Sequence, residues 1–462
     1  MGLLIQNGML VFPDKLENSD LYVDGEKIRL IESIIPISEL PTDTDVINAA
    51  GLFVFPGFID AHTHYGLGEG EERTADGFYE GSCAAAFGGI TTFIDFSDQI
   101  PGMNLKESAM KRIGEAEDSV IDYTLHQGIY RMHDNLSAEL DNLKQMGIST
   151  VKLFTTYRDF GVYFNPEDWS RLFPLCRDKH IMISIHAEDD DLISEIESSY
   201  SDRVLPPWMH AVIRPPEAEA NAILKAGEAA EDYDVPLYIV HLSSKAGLDA
   251  VRIIRNTGVR VIVETTPHYL FLTEEKLKGD DGAKYLMTPP LRKVEDNAAL
   301  QKALKTGEID VVATDHCSYT PAHKSRFADC REIPAGIPGS EEISMLVYTN
   351  LVRGEKSGII DMGNILSRNP AEAFGLFPEK GSLIPGTDAD IVLFSGNENG
   401  VISDKNIHSN SGYSPYNGVS YTGKTVMTIL RGEVIVRDGQ FIGKKSQGRF
   451  LKCSESSIYT GL

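Results

Sequence analysis

Val54-Phe55-Pro56-Gly57-Phe58-Ile59-Asp60-Ala61-His62-Thr63-His64 is an apolar run that stops on two histidines. Residues i and i+2 of an extended chain point the same way, so both imidazoles can reach one metal ion. A lone His-x-His is weak, because two solvated loop histidines look the same. Here the pattern follows a strand, and it recurs down the chain. Short β-branched or apolar runs lie at Leu52–Ile59, Ile90–Phe96, Ile121–Ile129, Thr150–Phe154, Ile181–Ile185, Leu237–Val240, Val259–Val263 and Ile309–Ala313. Between them stand helix-length segments such as Asn104–Ala116, Glu217–Ala230 and Asn297–Lys305. Eight strands alternating with helices read as an α/β fold, a (β/α)8 TIM barrel, whose chemistry gathers at the C-terminal ends of the strands.

Five of those strand ends carry six residues of one chemical kind: His62 and His64, Lys152, His186, His241 and Asp315. Singly, each has an ordinary explanation. A strand-end histidine is common, Lys152 could snorkel to an acid, and Asp315 could cap a helix. Together they form the donor set of a two-metal hydrolytic centre, provided that Lys152 is carboxylated. A buried amine has a lowered pKa, and the neutral amine takes up carbon dioxide to give N6-carboxylysine, an anionic bidentate bridge. Two divalent ions bring four positive charges; the carbamate, Asp315 and a bridging hydroxide bring three negative ones. Such a centre polarises a carbonyl and activates water, while Asp315 carries the proton to the leaving nitrogen.

Composition bounds the alternatives. The 462 residues exceed a single barrel of about 250 residues and leave room for a second unit. A net charge of −25 argues against a nucleic-acid partner, since phosphate binding needs a basic face. Cys83, Cys176, Cys317, Cys330 and Cys453 are odd in number and never paired as CxxC, so neither a disulfide framework nor a structural zinc cluster is expected. The N-terminus lacks a basic n-region and no run reaches membrane-spanning length, so a cytoplasmic protein without a membrane partner is expected.

Both chain ends read as β-rich. Leu3-Leu4-Ile5, Met9-Leu10-Val11, Leu21-Tyr22-Val23 and Ile28–Ile34 are short strands, with Asn7-Gly8 and Asp24-Gly25 as hairpin turns. Ala389–Phe394, Val426–Leu430, Glu433–Val436 and Gln440–Ile442 mirror them near the other end. Neither set suffices for a stable sheet, so the two are expected to build one small β-sandwich split by the barrel. The expected division is 1–51 and 376–462 (with the tail) for the sandwich, and 52–375 for the barrel.

With these residues in hand, the chain resembles the cyclic amidohydrolases, most closely the dihydropyrimidinase and hydantoinase branch. The resemblance lies in Pro56–His64, Ala85–Thr92, Val151–Tyr157, His186-Ala187-Glu188, Val240–Ser244, Glu264–Leu270, Pro289–Arg292, and Lys380–Leu383 with Gly386–Val392. It implies a binuclear centre, usually zinc, a carboxylated Lys152, ring opening of a cyclic amide or imide, and a homodimer or homotetramer. Dihydroorotases of this superfamily place an arginine where this chain has Gly66. Tyr157, five residues after Lys152, matches the hydantoinase-type tyrosine that donates to the tetrahedral oxyanion. Thr288 and Ala335 stand where the branch commonly has Ser and Asn, at positions that hold the imide ring mainly through backbone groups. Expected substrates are therefore dihydropyrimidines or 5-substituted hydantoins. Allantoinase is the alternative activity, and a non-catalytic scaffold of the same fold is a third reading disfavoured by the complete donor set. The loops Tyr65–Thr74 and Arg158–Asn165 are expected to shape the entrance.

Overall fold

The computed structural model describes residues 2–352 and 356–460. The chain begins with β1 (Gly2–Val11), β2 (Leu16–Asp24), β3 (Lys27–Glu32), β4 (Asp45–Asn48) and β5 (Phe53–Pro56). Eight strands follow, interspersed with helices: β6 (Phe58–Asp60), β7 (Ile90–Ser97), β8 (Asp122–Gly128), β9 (Thr150–Phe154), β10 (Met182–His186), β11 (Leu237–Ile239), β12 (Val261–Thr265) and β13 (Val311–Val312). The last strands are β14 (Ile391–Val401), β15 (Ser420–Leu430), β16 (Glu433–Arg437) and β17 (Gln440–Phe441).

Strands β6 to β13 pair in sequential order, each parallel to the next. Beyond their ends the first and last are tied together: the His64 amide donates to the His316 carbonyl at 2.8 Å, and Thr314 Oγ1 to Asp60 Oδ2 at 2.6 Å. This is the expected (β/α)8 barrel. Strand parity sorts its side chains. Val151 and Leu153 of β9, with Ile183 and Ile185 of β10, enter the core shared with the helices. Their alternates, Lys152 and His186, are thereby left to the barrel interior.

The chain ends form one hydrogen-bonded sheet in the order β17-β16-β15-β14-β5-β1-β2-β3, with β4 on β1. Gly432, in the β15–β16 turn, lies against the β2–β3 turn, where an added Cβ would meet the Gly25 carbonyl oxygen at 2.3 Å. Turns four strands apart thus touch. The sheet curls over its own core of Leu21, Val23, Val54, Ile391, Met427 and Ile429, which gives the expected sandwich.

Three expectations need correction. The run Leu52–Ile59 is not one strand. It breaks at Gly57, whose amide donates to Asp390 and whose Cα packs so closely on Thr91 that a Cβ would stand 2.1 Å from Oγ1. Phe53–Pro56 therefore belongs to the chain-end sheet and Phe58–Asp60 to the barrel, which moves the boundary from 51/52 to Gly57. Asn7-Gly8 is not a hairpin either. Strand β1 runs through it with a register shift; Asn7 has φ 62° and its amide donates to Asp20 Oδ1 at 2.9 Å. Finally, the tail after β17 leaves the sandwich and crosses the base of the barrel, where Leu451 N–H donates to Tyr123 O and Tyr459 Oη to Ile181 O.

Sheet and barrel meet on a buried ionic cluster. Lys380 Nζ donates to Asp122 Oδ2 and Asp390 Oδ2, each at 2.6 Å, and stands 3.0 Å from Asp388 Oδ2; Arg431 adds a contact to Asp122. Asp122 opens β8, so the cluster sits at the N-terminal end of the barrel. No helix among the described residues is long and apolar enough to cross a membrane.

Candidate active site

At the opposite end the strands open into a chamber of about 860 Å³. His62, His64, Lys152, His186, His241 and Asp315 all line it, together with Tyr157, Thr288 and Ala335. The residues come from distant stretches of the chain, and the βα alternation alone brings them together.

His62, His64 and Asp315 form the tightest group. The two Nε2 atoms lie 3.2 Å apart, and Asp315 Oδ1 is 3.2 Å from each. His62 Nδ1 lies 2.8 Å from Glu264 Oε1, so the Nδ1–H tautomer satisfies that carboxylate and leaves Nε2 with a lone pair. Burial alone would raise the Asp315 carboxyl, but the imidazoles of His62 and His64 pull it well below the usual range. Converging lone pairs and an ionised carboxylate fit a divalent cation.

His241 and His186 stand beside this group, with ring centroids 4.6 Å apart and that of His241 5.4 Å from His62. His186 Nε2 faces Glu188 Oε2 at 2.8 Å, so its proton on Nε2 leaves Nδ1 as the donor nitrogen. His241 Nδ1 is buried without a hydrogen-bond partner among the described residues. Strand parity would send His241 outward, since Tyr238 and Val240 already face the barrel interior. Its backbone φ of 38° turns it, held by an amide hydrogen bond to Glu264 Oε1 at 2.9 Å.

Lys152 is 1% exposed and has no ion-pair partner among the described residues. Its amine lies 5.1 Å and 5.2 Å from the ring centroids of Phe96 and Phe154. Burial pushes it down to about 8 against the more distant charges of Glu264 and Asp315. A neutral amine at this position can accept carbon dioxide. The donor types and tautomers thus suit two metal ions bridged by a carboxylated lysine.

Tyr157 projects into the chamber against His186 (ring centroids 5.4 Å), with φ 67°. Burial raises its phenol, so it stays protonated as a donor. Thr288 Oγ1 lies 3.1 Å from His210 Nε2. Leu67, Gly68 and Glu72 from one expected entrance loop, and Arg158, Phe160 and Val162 from the other, line the chamber. Tyr65 departs from that pattern: it is fully buried with its hydroxyl 2.9 Å from Ser340 Oγ.

The residues not picked out from sequence are those that support the donors. Glu264 accepts from Tyr238 Oη at 2.7 Å and from the His241 amide, and faces His62. Burial would raise Glu188, but Arg214 and His186 bring it to about 2. His268, 1% exposed, lines the chamber with neither ring nitrogen partnered among the described residues. Glu188 and the pair Glu264 and His268 lie within stretches that carry the family resemblance, His186-Ala187-Glu188 and Glu264–Leu270, but nothing local in those stretches singles them out as supports. By contrast His316, next to Asp315, is saturated: Nε2 faces Asp76 Oδ2 at 3.0 Å and Nδ1 accepts from the Gly339 and Ser340 amides. It is a structural histidine.

The amidohydrolase family profile matches residues 53–435. A D-hydantoinase of Ralstonia pickettii is 37% identical over 98% of this chain and 99% of its own. A D-phenylhydantoinase of Escherichia coli O1:K1 is 35% identical over 98% of each chain. Among solved structures, the dihydropyrimidinase from Brevibacillus agri NCHU1002 superposes with a TM-score of 0.95 at 33% identity, covering 99% of both chains.

Proposed function

The chain belongs to the amidohydrolase family, in its hydantoinase and dihydropyrimidinase branch, and from that premise we propose that it opens the ring of a 5-substituted hydantoin or a dihydropyrimidine by metal-dependent hydrolysis. The observation that carries this reading is the convergence of six donor side chains and one protonated tyrosine in a single chamber. His62, His64 and Asp315 would hold one divalent ion, His186 and His241 a second, and carboxylated Lys152 would bridge them, with zinc as the expected metal. When bound, such ions polarise the ring carbonyl and lower the pKa of water toward about 7.

The protein's own groups do the rest. Asp315, an ionised carboxylate beside the donor imidazoles, takes the proton of the attacking water. It returns that proton to the ring nitrogen as the C–N bond breaks, so the product is a ring-opened carbamoyl acid and no charge is left stranded. Tyr157 donates its phenolic proton in a hydrogen bond to the oxygen that becomes negative in the tetrahedral intermediate. Glu264 and Glu188 keep His62 and His186 in the tautomers that present donor nitrogens inward. Where dihydroorotases carry a carboxylate-binding arginine, Gly66 offers no charge, which disfavours an acid substrate.

The test is protein supplied with zinc and bicarbonate and offered dihydrouracil, hydantoin, substituted hydantoins, allantoin and dihydroorotate. Expected are two metal ions per chain, the added mass of one carbon dioxide on Lys152, and turnover of the uncharged rings but not of dihydroorotate. Absence of both metal and turnover defeats the reading.

A further inference from the structure

Three segments meet on one wall of the chamber. The chain leaving β9 is stitched to the chain leaving β10: Thr155 Oγ1 donates to the His186 carbonyl at 3.0 Å, and the Glu188 amide donates to Thr155 Oγ1 at 2.9 Å. This turn delivers Tyr157 in the left-handed region, where a bulky residue stays only if its surroundings hold it. The third segment is the end of the helix Met209–Ile213, and it contributes Arg214.

The Arg214 guanidinium carbon lies 5.0 Å from the centroid of the Tyr157 ring, a cation–π distance. Its Nη1 donates to Glu188 Oε2 at 2.7 Å and reaches Thr156 Oγ1 at 3.4 Å. The same Glu188 oxygen faces His186 Nε2 at 2.8 Å. The backbone of Arg214 is pinned as well: its carbonyl accepts from Arg292 Nη1 at 2.5 Å, and Arg292 Nε donates to Ser243 Oγ at 3.0 Å, just beyond His241. The Glu188 side chain is fully buried and that of Arg214 nearly so, which makes their pair a directional one in low dielectric.

We propose that Arg214, anchored on Glu188 against His186, is a positioning residue that holds the Tyr157 phenol where the oxyanion forms. The proposal rests on the reading of Tyr157 as the oxyanion donor. A planar guanidinium can pair with a carboxylate through one edge and cover a ring with its face; an ammonium cannot do both. If Arg214 were only a structural ion pair, its loss would lower stability without slowing the folded enzyme.

The experiment measures kcat, KM and metal content of the full-length, metal-loaded protein on hydantoin. The variants are Arg214→Ala, Arg214→Lys, Tyr157→Phe and both combinations with Tyr157→Phe. Misplacing a catalytic group by about 1 Å can cost about 10²-fold, so Arg214→Ala should lower kcat by roughly that factor with wild-type metal content and KM within a few-fold. Arg214→Lys should stay slow, and millimolar guanidinium should restore Arg214→Ala but not Arg214→Lys. In the Tyr157→Phe background, removing Arg214 should cost little more, because its effect passes through the phenol. The proposal is overturned if Arg214→Ala keeps kcat within a few-fold, if its loss is the same with and without the phenol, or if metal falls in step with turnover. Should Arg214→Ala fail to fold, the lysine variant and its combination with Tyr157→Phe decide by the same criteria. Tyr157→Phe retaining wild-type kcat would instead defeat the oxyanion reading itself, and this proposal with it.

Discussion

Lys152 and Lys380 are the same residue at nearly the same burial, 1% and 2% exposed, toward opposite ends of one barrel. Lys380 is surrounded by Asp122, Asp388 and Asp390 within 3.0 Å. Burial would lower its amine, but those carboxylates hold it above the ordinary lysine range, so it is locked as a cation. Lys152 has the burial without the carboxylates, and its amine falls to about 8. At pH 7 roughly a tenth of it is neutral, where an unperturbed lysine keeps less than about one part in a thousand. Burial alone therefore does not fix an amine's charge; compensation does. Lys324, also 1% exposed and donating to the Leu286 carbonyl, is likewise lowered, to about 7, outside the donor set. The same contrast separates His316, saturated by Asp76 and two amides, from His241, whose Nδ1 has no hydrogen-bond partner among the described residues.

Exchanging the two lysines' surroundings, or removing either residue, puts that contrast at risk. The largest effect is expected from Lys152→Met. It should abolish turnover and the binding of at least one metal, while the folded protein loses little stability, because among the described residues no carboxylate forms an ion pair with this amine and Glu264 and Asp315 feel it only at longer range. Wild-type turnover in that variant would break the comparison at its functional end. Next, Asp315→Asn should lower kcat by about 10²–10⁴-fold while keeping much of the metal, since an amide cannot carry the proton. Turnover within a few-fold of wild type would show that another group does so.

Lys380→Met addresses the structural end. It leaves Asp122 and Asp390 buried without their shared ammonium, with Arg431 and the Arg449 amide as remaining partners, and should cost about 3–5 kcal/mol in urea unfolding. The kcat of the remaining folded enzyme should be unchanged; a slowed but stable variant would mean that the base of the barrel communicates with the chamber. The smallest expected effect belongs to Glu264→Gln, which retains shape but weakens the acceptor for His62. Metal affinity should fall by about 10–100-fold, read by titration with zinc and a competing chelator.

Much of this was legible in the chain. Most of the eight strands announce themselves because a strand buried on both faces is largely apolar; β8, buried throughout as Asp122–Gly128, and β9, with Lys152 at its middle, carry polar residues inside the run. His62, His64, His186, His241 and Asp315 were legible as positions because each stands where an apolar run stops, Lys152 as a lysine inside an apolar run, and Tyr157 only through the family resemblance. Their supports were not. Glu188, Arg214 and Glu264 are charged residues at strand ends or in loops, where periodicity says nothing, and their roles arise only when all are desolvated around the same imidazoles. Gly57 hid the change from sheet to barrel because both flanks are equally apolar, and only the close approach of Thr91 and Asp390 forces the break there.

The sequence by itself determined the alternation of strand and helix, the chemical kind of every donor and the strand at or beyond which each lies, since those follow from local patterning. Tertiary structure alone decided which nitrogen His62 and His186 present, that His241 turns inward against strand parity, and that the Lys380 amine is held above the ordinary lysine range while that of Lys152 is lowered. These depend on dielectric and on partners that the fold brings together from near and far, two residues away for His186 and Glu188 and 202 for His62 and Glu264, and electrostatic compensation in a protein interior is a property of neighbours in space.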